Sequence, residues 1–204
     1  MLERSRVLNS PNLLLAHAVS ALLQPTLCVV PLLVALNGLG EPSVTIWHWL
    51  LWCGVTITFA TTLPSLAFLV LLKFGLISDL NVTDRRERPL PYMLMIGCYM
   101  AGTVFAHFAR APHHSVLFLF AEALTLTIAA FVNQRYCKIS IHMLSVALIA
   151  VAVTVVFGPA TLPIFALLAG GWWARVTLRA HTPIEATAGA VLGVAIGVLV
   201  FALL

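Results

Sequence analysis

Arg175, His181 and Glu185 are spaced R-x5-H-x3-E. On a helix, a carboxylate four residues after a histidine shares its face. Bonded to one imidazole nitrogen, the carboxylate fixes the tautomer and leaves the other nitrogen free as a nucleophile or general base. A guanidinium alongside can grip a phosphate through two parallel N–H donors. Glu185 also has a plainer use. Thr182-Pro183-Ile184-Glu185 has the form of a capping box, with Thr182 as N-cap, Pro183 first in the helix and Glu185 third. Both uses can hold at once, because His181 then lies just before the helix, still within reach of Glu185. Arg179 reads as an arginine snorkelling to an interface.

Two further polar islands carry complementary groups. In Lys138-Ile139-Ser140-Ile141-His142, Ser140 is placed to cap a helix start whose free N–H groups favour an anion. His142 can give a proton to a leaving oxygen; taken alone, it is an ordinary interfacial histidine. In the island at 84–89, Arg85, Arg86 and Arg88 surround Asp84 and Glu87. Alone this is a charged loop that sets topology. Beside two imidazoles on one face it becomes an anion clamp.

The elements that position these groups are apolar. Of 204 residues, 61% are hydrophobic and 9% charged, against about 25% charged in soluble domains. The bilayer is therefore the expected solvent. The three islands hold six of the eleven Lys and Arg residues, and charge near a bilayer is costly enough to mark function. The net charge of +4 is spread over short loops, which suits membrane lipids or a phosphate-bearing substrate and argues against nucleic acid. Cys28, Cys53, Cys98 and Cys137 form no C-x-x-C pair, so neither a disulfide nor a metal site is expected. No cofactor motif is present. The run 7–40 has no Asp, Glu, Lys or Arg up to its end and exceeds the roughly 7–15 apolar residues of a signal peptide. It reads as a retained first span.

The pattern predicts one integral membrane domain over 1–204, an all-α polytopic bundle of six to seven spans. The segments are 12–37, 45–72, 91–109, 115–133, 142–157, 160–174 and 185–204, the first two longer than the required length of about 20 residues and the rest near it or shorter. Spans three and four are short enough to be re-entrant. Gly158-Pro159 folds the run 139–174 into a hairpin. Each island follows an even number of crossings, so all three face one side and can meet. Trp47, Trp49 and Trp52 mark one interface; Trp172, Trp173, Tyr92 and Tyr136 mark the other. Gly189, Gly193 and Gly197 offer a close-packing face, within the bundle or in a homodimer. Glu122, a lone intramembrane acid, is expected to pair with a group such as His107. His113 and His114 fall on the far side.

In this order and topology the islands resemble the phosphatidic acid phosphatase type 2 superfamily, with motifs K-x6-R-P, P-S-G-H and S-R-x5-H-x3-D. Arg88-Pro89 matches the end of the first, Ser140 and His142 the second, and Arg175 with His181 the third. The likeness covers roughly 78–197, the expected phosphatase-like core. Asn81 stands at the first motif's lysine, with Arg85 or Arg86 as substitutes for its charge. Ile139, Ile141, Ala174 and Glu185 replace proline, glycine, serine and aspartate. The resemblance implies a metal-independent lipid phosphatase acting on a prenyl or glycerolipid phosphomonoester or diphosphate. His181 would attack phosphorus, Glu185 support it, and His142 protonate the leaving group. Arg88, Arg175, Arg85 and Ser140 would hold the phosphate. Transfer to an alcohol acceptor, or a non-enzymatic transporter or scaffold, are the alternatives. Outside the motifs, basic residues are denser on the island side, which places the site at the cytoplasmic face of a bacterial or archaeal plasma membrane. Many members of the superfamily are thought to work on the outer face.

Overall fold

The computed structural model describes residues 11–40, 45–79, 82 and 84–204, without the side chain of Arg85. Asn81 and the Arg85 guanidinium, both named above, lie outside what is described, as do Arg4 and Arg6, two of the basic residues on the island side. Among the described residues the fold is entirely helical. Its helices are α1 (Pro11–Leu22), α2 (Pro25–Gly38), α3 (Ile46–Lys73), α4 (Pro89–Phe108), α5 (His113–Arg135), α6 (Ile141–Phe157), α7 (Ala166–Thr177) and α8 (Pro183–Leu203).

Four of these, α3, α4, α5 and α8, are long and apolar enough to cross a membrane, and α1 with α2 makes a fifth if the bent pair is one span. The bend is 42°. It falls at Gln24, which is extended (φ −63°, ψ 132°) because the following Pro25 disfavours helical geometry before it. In α3 a π turn over Thr58–Thr62 precedes Pro64. Proline removes one helical N–H and crowds the carbonyl four residues back, and the wider turn accommodates both. With 20 and 23 residues, α4 and α5 have the length to cross. The predicted segment 160–174 is not one helix: Pro159–Phe165 is a 3-10 stretch with Pro163 inside it, and α7 begins only at Ala166. Gly158 (φ 91°) ends α6 and makes the hairpin turn.

The bundle is centred on α6. Every residue from Met143 to Ala152 is buried, as expected of a helix that is apolar all round. Its most intimate partner is α8. A Cβ on Gly189 would lie 2.5 Å from the Ser140 carbonyl oxygen, and one on Gly197 would lie 2.9 Å from the Val151 Cβ. The glycine face is thus filled by α6 of the same chain. That contact fixes Ser140 and His142, at the start of α6, beside the start of α8.

Candidate functional site

The three islands meet at one end of the bundle. α7 ends just after Arg175, and the chain turns back at once. The Arg175 carbonyl accepts from the N–H groups of Ala180 (3.1 Å) and His181 (3.4 Å), and Arg179 N–H donates to Val176 O (3.0 Å). Arg179 itself is left-handed (φ 52°). This is the helix-ending turn usually closed by glycine. It delivers His181 back alongside Arg175 and leaves Arg179 exposed.

α8 opens with the capping box. Thr182 Oγ1 accepts from Glu185 N–H (3.3 Å) and Glu185 Oε2 accepts from Thr182 N–H (2.9 Å). The same Oε2 lies 3.6 Å from His181 Nδ1, too long for a hydrogen bond. Glu185 therefore caps the helix and stands next to the imidazole without bonding it. Trp172 Nε1 donates to Thr187 Oγ1 (3.1 Å) and Pro183 O (3.3 Å), tying α7 to the start of α8.

Ser140 is the N-cap residue of α6 by backbone geometry, but its hydroxyl makes no cap bond. Its N–H donates to the Glu185 carbonyl (3.3 Å), joining the second island to the third. Lys138 makes the same connection, donating from Nζ to the Ala180 carbonyl (3.0 Å). Arg175 Nη1 donates to Ser20 Oγ (3.0 Å) on α1. In the first island, Arg88 Nε donates to the carbonyl of Val82 (3.1 Å), a buried β-branched residue held at φ 45°. The acids there serve the loop: Asp84 Oδ1 accepts from Arg86 N–H (2.9 Å), and Glu87 Oε2 from Ser78 N–H (2.7 Å) and Oγ (2.9 Å).

His181 is buried. Burial, with the charges of Lys138, Arg175 and Arg88, pushes its imidazole down from 6.5 to about 3. Burial also lowers the Lys138 ammonium; Arg88 and Arg175 add to this, and Glu185 opposes it. His142 shares the neighbourhood of Arg175 and His181. So Arg88, Lys138, His142, Arg175, His181 and Glu185 occupy one electrostatic environment with an excess of positive charge. Within it, three buried polar atoms have no hydrogen-bond partner among the described residues: Ser140 Oγ, Arg175 Nε and His181 Nδ1.

Three residues escaped the sequence reading. Lys138 carries no motif. Ser20 lies far from any motif. Asn133, near the end of α5, accepts from Ile139 N–H and donates to the Tyr92 hydroxyl. A lone amide late in an apolar span was the available signal. Tyr92 is accordingly buried, its hydroxyl accepting from Asn133. Glu122 is paired differently from expectation: Ser145 Oγ donates to its Oε2 (3.5 Å), while His107 is exposed and edge-on to Phe108. Among the described residues no three His, Cys, Asp or Glu side chains are grouped to hold a metal ion. No family model, curated protein or solved structure matches the chain.

Proposed function

We propose that this protein is a membrane-embedded lipid phosphatase of the phosphatidic acid phosphatase type 2 kind, cleaving a phosphomonoester or diphosphate from an apolar tail. The observation that carries the proposal is the set of buried, unpartnered polar atoms on Ser140, Arg175 and His181 within a cationic environment. A buried polar group without a partner costs about 1–3 kcal/mol. A tetrahedral anion accepts from a hydroxyl and a guanidinium together, and its charge offsets the crowding of Arg88, Lys138 and Arg175.

In this scheme the neutral His181 attacks phosphorus in line with the departing oxygen. The P–O bond breaks as the P–N bond forms, and His142 gives its proton to the leaving alkoxide or phosphate. Water then attacks the phosphohistidine, returning a proton to His142 and releasing inorganic phosphate. Arg88 and Arg175 stabilise the oxygens of the transferring group, the dominant contribution in such reactions. Glu185 sets the direction of α8 and supports the imidazole as it becomes cationic. Arg85 completes the clamp.

The tail enters between helices, so the headgroup reaches the islands from the bilayer. The full architecture is six to seven crossings, α6 and the 159–177 segment supplying those beyond the longer helices. The charge distribution favours the cytoplasmic face of a plasma membrane. The test is phosphate release by the detergent-purified protein from a panel of prenyl, glycerolipid and soluble phosphates. Release confined to tailed substrates is expected; none from any of them would overturn the proposal. Product analysis with added alcohols distinguishes hydrolysis from transfer.

A further inference from the structure

Lys138 precedes Ser140 by two residues, and its ammonium reaches across to the residue before His181. Nζ donates to the Ala180 carbonyl at 3.0 Å. An ammonium has three donors; among the described residues Lys138 makes no ion pair. The backbone beneath it is pinned on both sides. Ile139 N–H donates to the Asn133 side chain, and Ser140 N–H to the Glu185 carbonyl at 3.3 Å. The segment 138–140 is thus locked against 180–185, with the ammonium held at their seam.

A lysine at a membrane interface ordinarily extends its charge outward to water or headgroups. Lys138 instead is half-buried and turned inward, sharing its surroundings with the guanidinium groups of Arg88 and Arg175. Like charges crowded in a partly desolvated space repel strongly. A bound anion carrying two negative charges removes that repulsion and uses the remaining N–H donors. We infer that Lys138 is a phosphate-binding residue of this site, its free N–H groups taking a non-bridging oxygen of the phosphoryl group beside His181. The inference rests on the phosphatase proposal for its biological meaning, but the anion site can be probed separately.

The chain has two lysines, Lys73 and Lys138, which permits a direct test. The detergent-solubilised wild-type protein is treated with an amine-acylating reagent, with and without orthovanadate as the phosphate mimic. Orthovanadate is expected to slow labelling of Lys138 at least about tenfold and to leave Lys73 unchanged. Equal labelling of Lys138 in both conditions overturns the inference. Kinetics add a second measure: K138Q is expected to lower kcat/KM about 10–100-fold, with K138R recovering most of it. A folded K138Q with wild-type kcat/KM also overturns it. If orthovanadate protects Lys138 while no tailed phosphate is hydrolysed, the phosphatase proposal fails and the anion site stands. If hydrolysis proceeds and Lys138 is unprotected, only the role of Lys138 fails.

Discussion

Ser115 and Asn133 sit near opposite ends of α5, and each anchors a buried polar cluster of a different kind. At the Ser115 end, Ser115 Oγ donates to Asn37 Oδ1 (2.9 Å). Asn37 Nδ2 in turn donates to Thr56 Oγ1 (2.9 Å) and Leu33 O (2.8 Å), and Thr56 Oγ1 donates to Trp52 O (2.7 Å). This cluster ties α2, α3 and α5 together with uncharged groups whose bonds close on one another. At the Asn133 end the amide is equally well used, but the residues it helps to place are not. Ser140, Arg175 and His181 keep buried polar atoms without hydrogen-bond partners among the described residues, under concentrated positive charge. A closed network holds helices together, whereas an open one leaves donors and acceptors available to a bound group, as the proposed function requires.

That contrast can be broken by experiment, and the sharpest break is at His181. His181→Ala is expected to reduce phosphate release by at least about 10³-fold while the protein stays folded, read by single-turnover kinetics alongside circular dichroism. Full activity in that variant would reduce the island end to another structural cluster. Next, Arg175→Ala should cost about 10²–10³-fold in kcat. Ser20→Ala, which removes only its partner on α1, should cost much less.

The opposite end should respond in stability and not in chemistry. Asn37→Leu leaves the Ser115 hydroxyl without its acceptor and Thr56 with the Trp52 carbonyl alone, and is expected to destabilise by about 1–3 kcal/mol. Turnover per folded molecule should be unchanged, measured by thermal unfolding in detergent with an activity assay below the midpoint. A pH scan separates the ends again. The folded His181 imidazole is depressed to about 3 from the ordinary 6.5. Between those values the unfolded chain binds a proton that the folded chain refuses. The His181 contribution is therefore fully present above about pH 6.5 and is lost as pH falls toward about 3. His181→Gln should flatten the thermal midpoint across that window, whereas Asn37→Leu should leave its slope intact. The smallest effect is expected at Arg179. A glycine tolerates its left-handed backbone without strain, so Arg179→Gly should stabilise by about 0.5–1 kcal/mol, or be neutral, with little change in turnover.

The island end was legible in the sequence because its signals are local. The capping box, the four-residue spacing of His181 and Glu185 and the hairpin at Gly158 depend on neighbours along the chain, and the structure has each of them. The structure brings the islands from three parts of the chain to one end. What was not legible depends on who packs against whom. Glu185 is already occupied by the Thr182 N–H, so its approach to His181 stops short of a bond. The π turn before Pro64 and the 3-10 stretch around Pro163 respond to proline backbone geometry that hydrophobic runs do not encode. Tyr92 looked interfacial by position, yet Asn133 draws it inward. Lys138 and Ser20 carry no motif and gain meaning only through a carbonyl in the turn before α8 and a guanidinium on α7.

The burial of α6 on all sides has a further consequence. Its first turn carries His142, and no rotation or tilt of that helix is available without repacking every neighbour. The segment from Met143 to Ala152 is therefore the fixed part of the bundle, and rearrangement is easiest at the perimeter, at α1, most of whose residues are exposed. If the proposed lipid phosphatase activity holds, adaptation to tails of different length or stiffness should accumulate on the outer helices, leaving the central one unaltered.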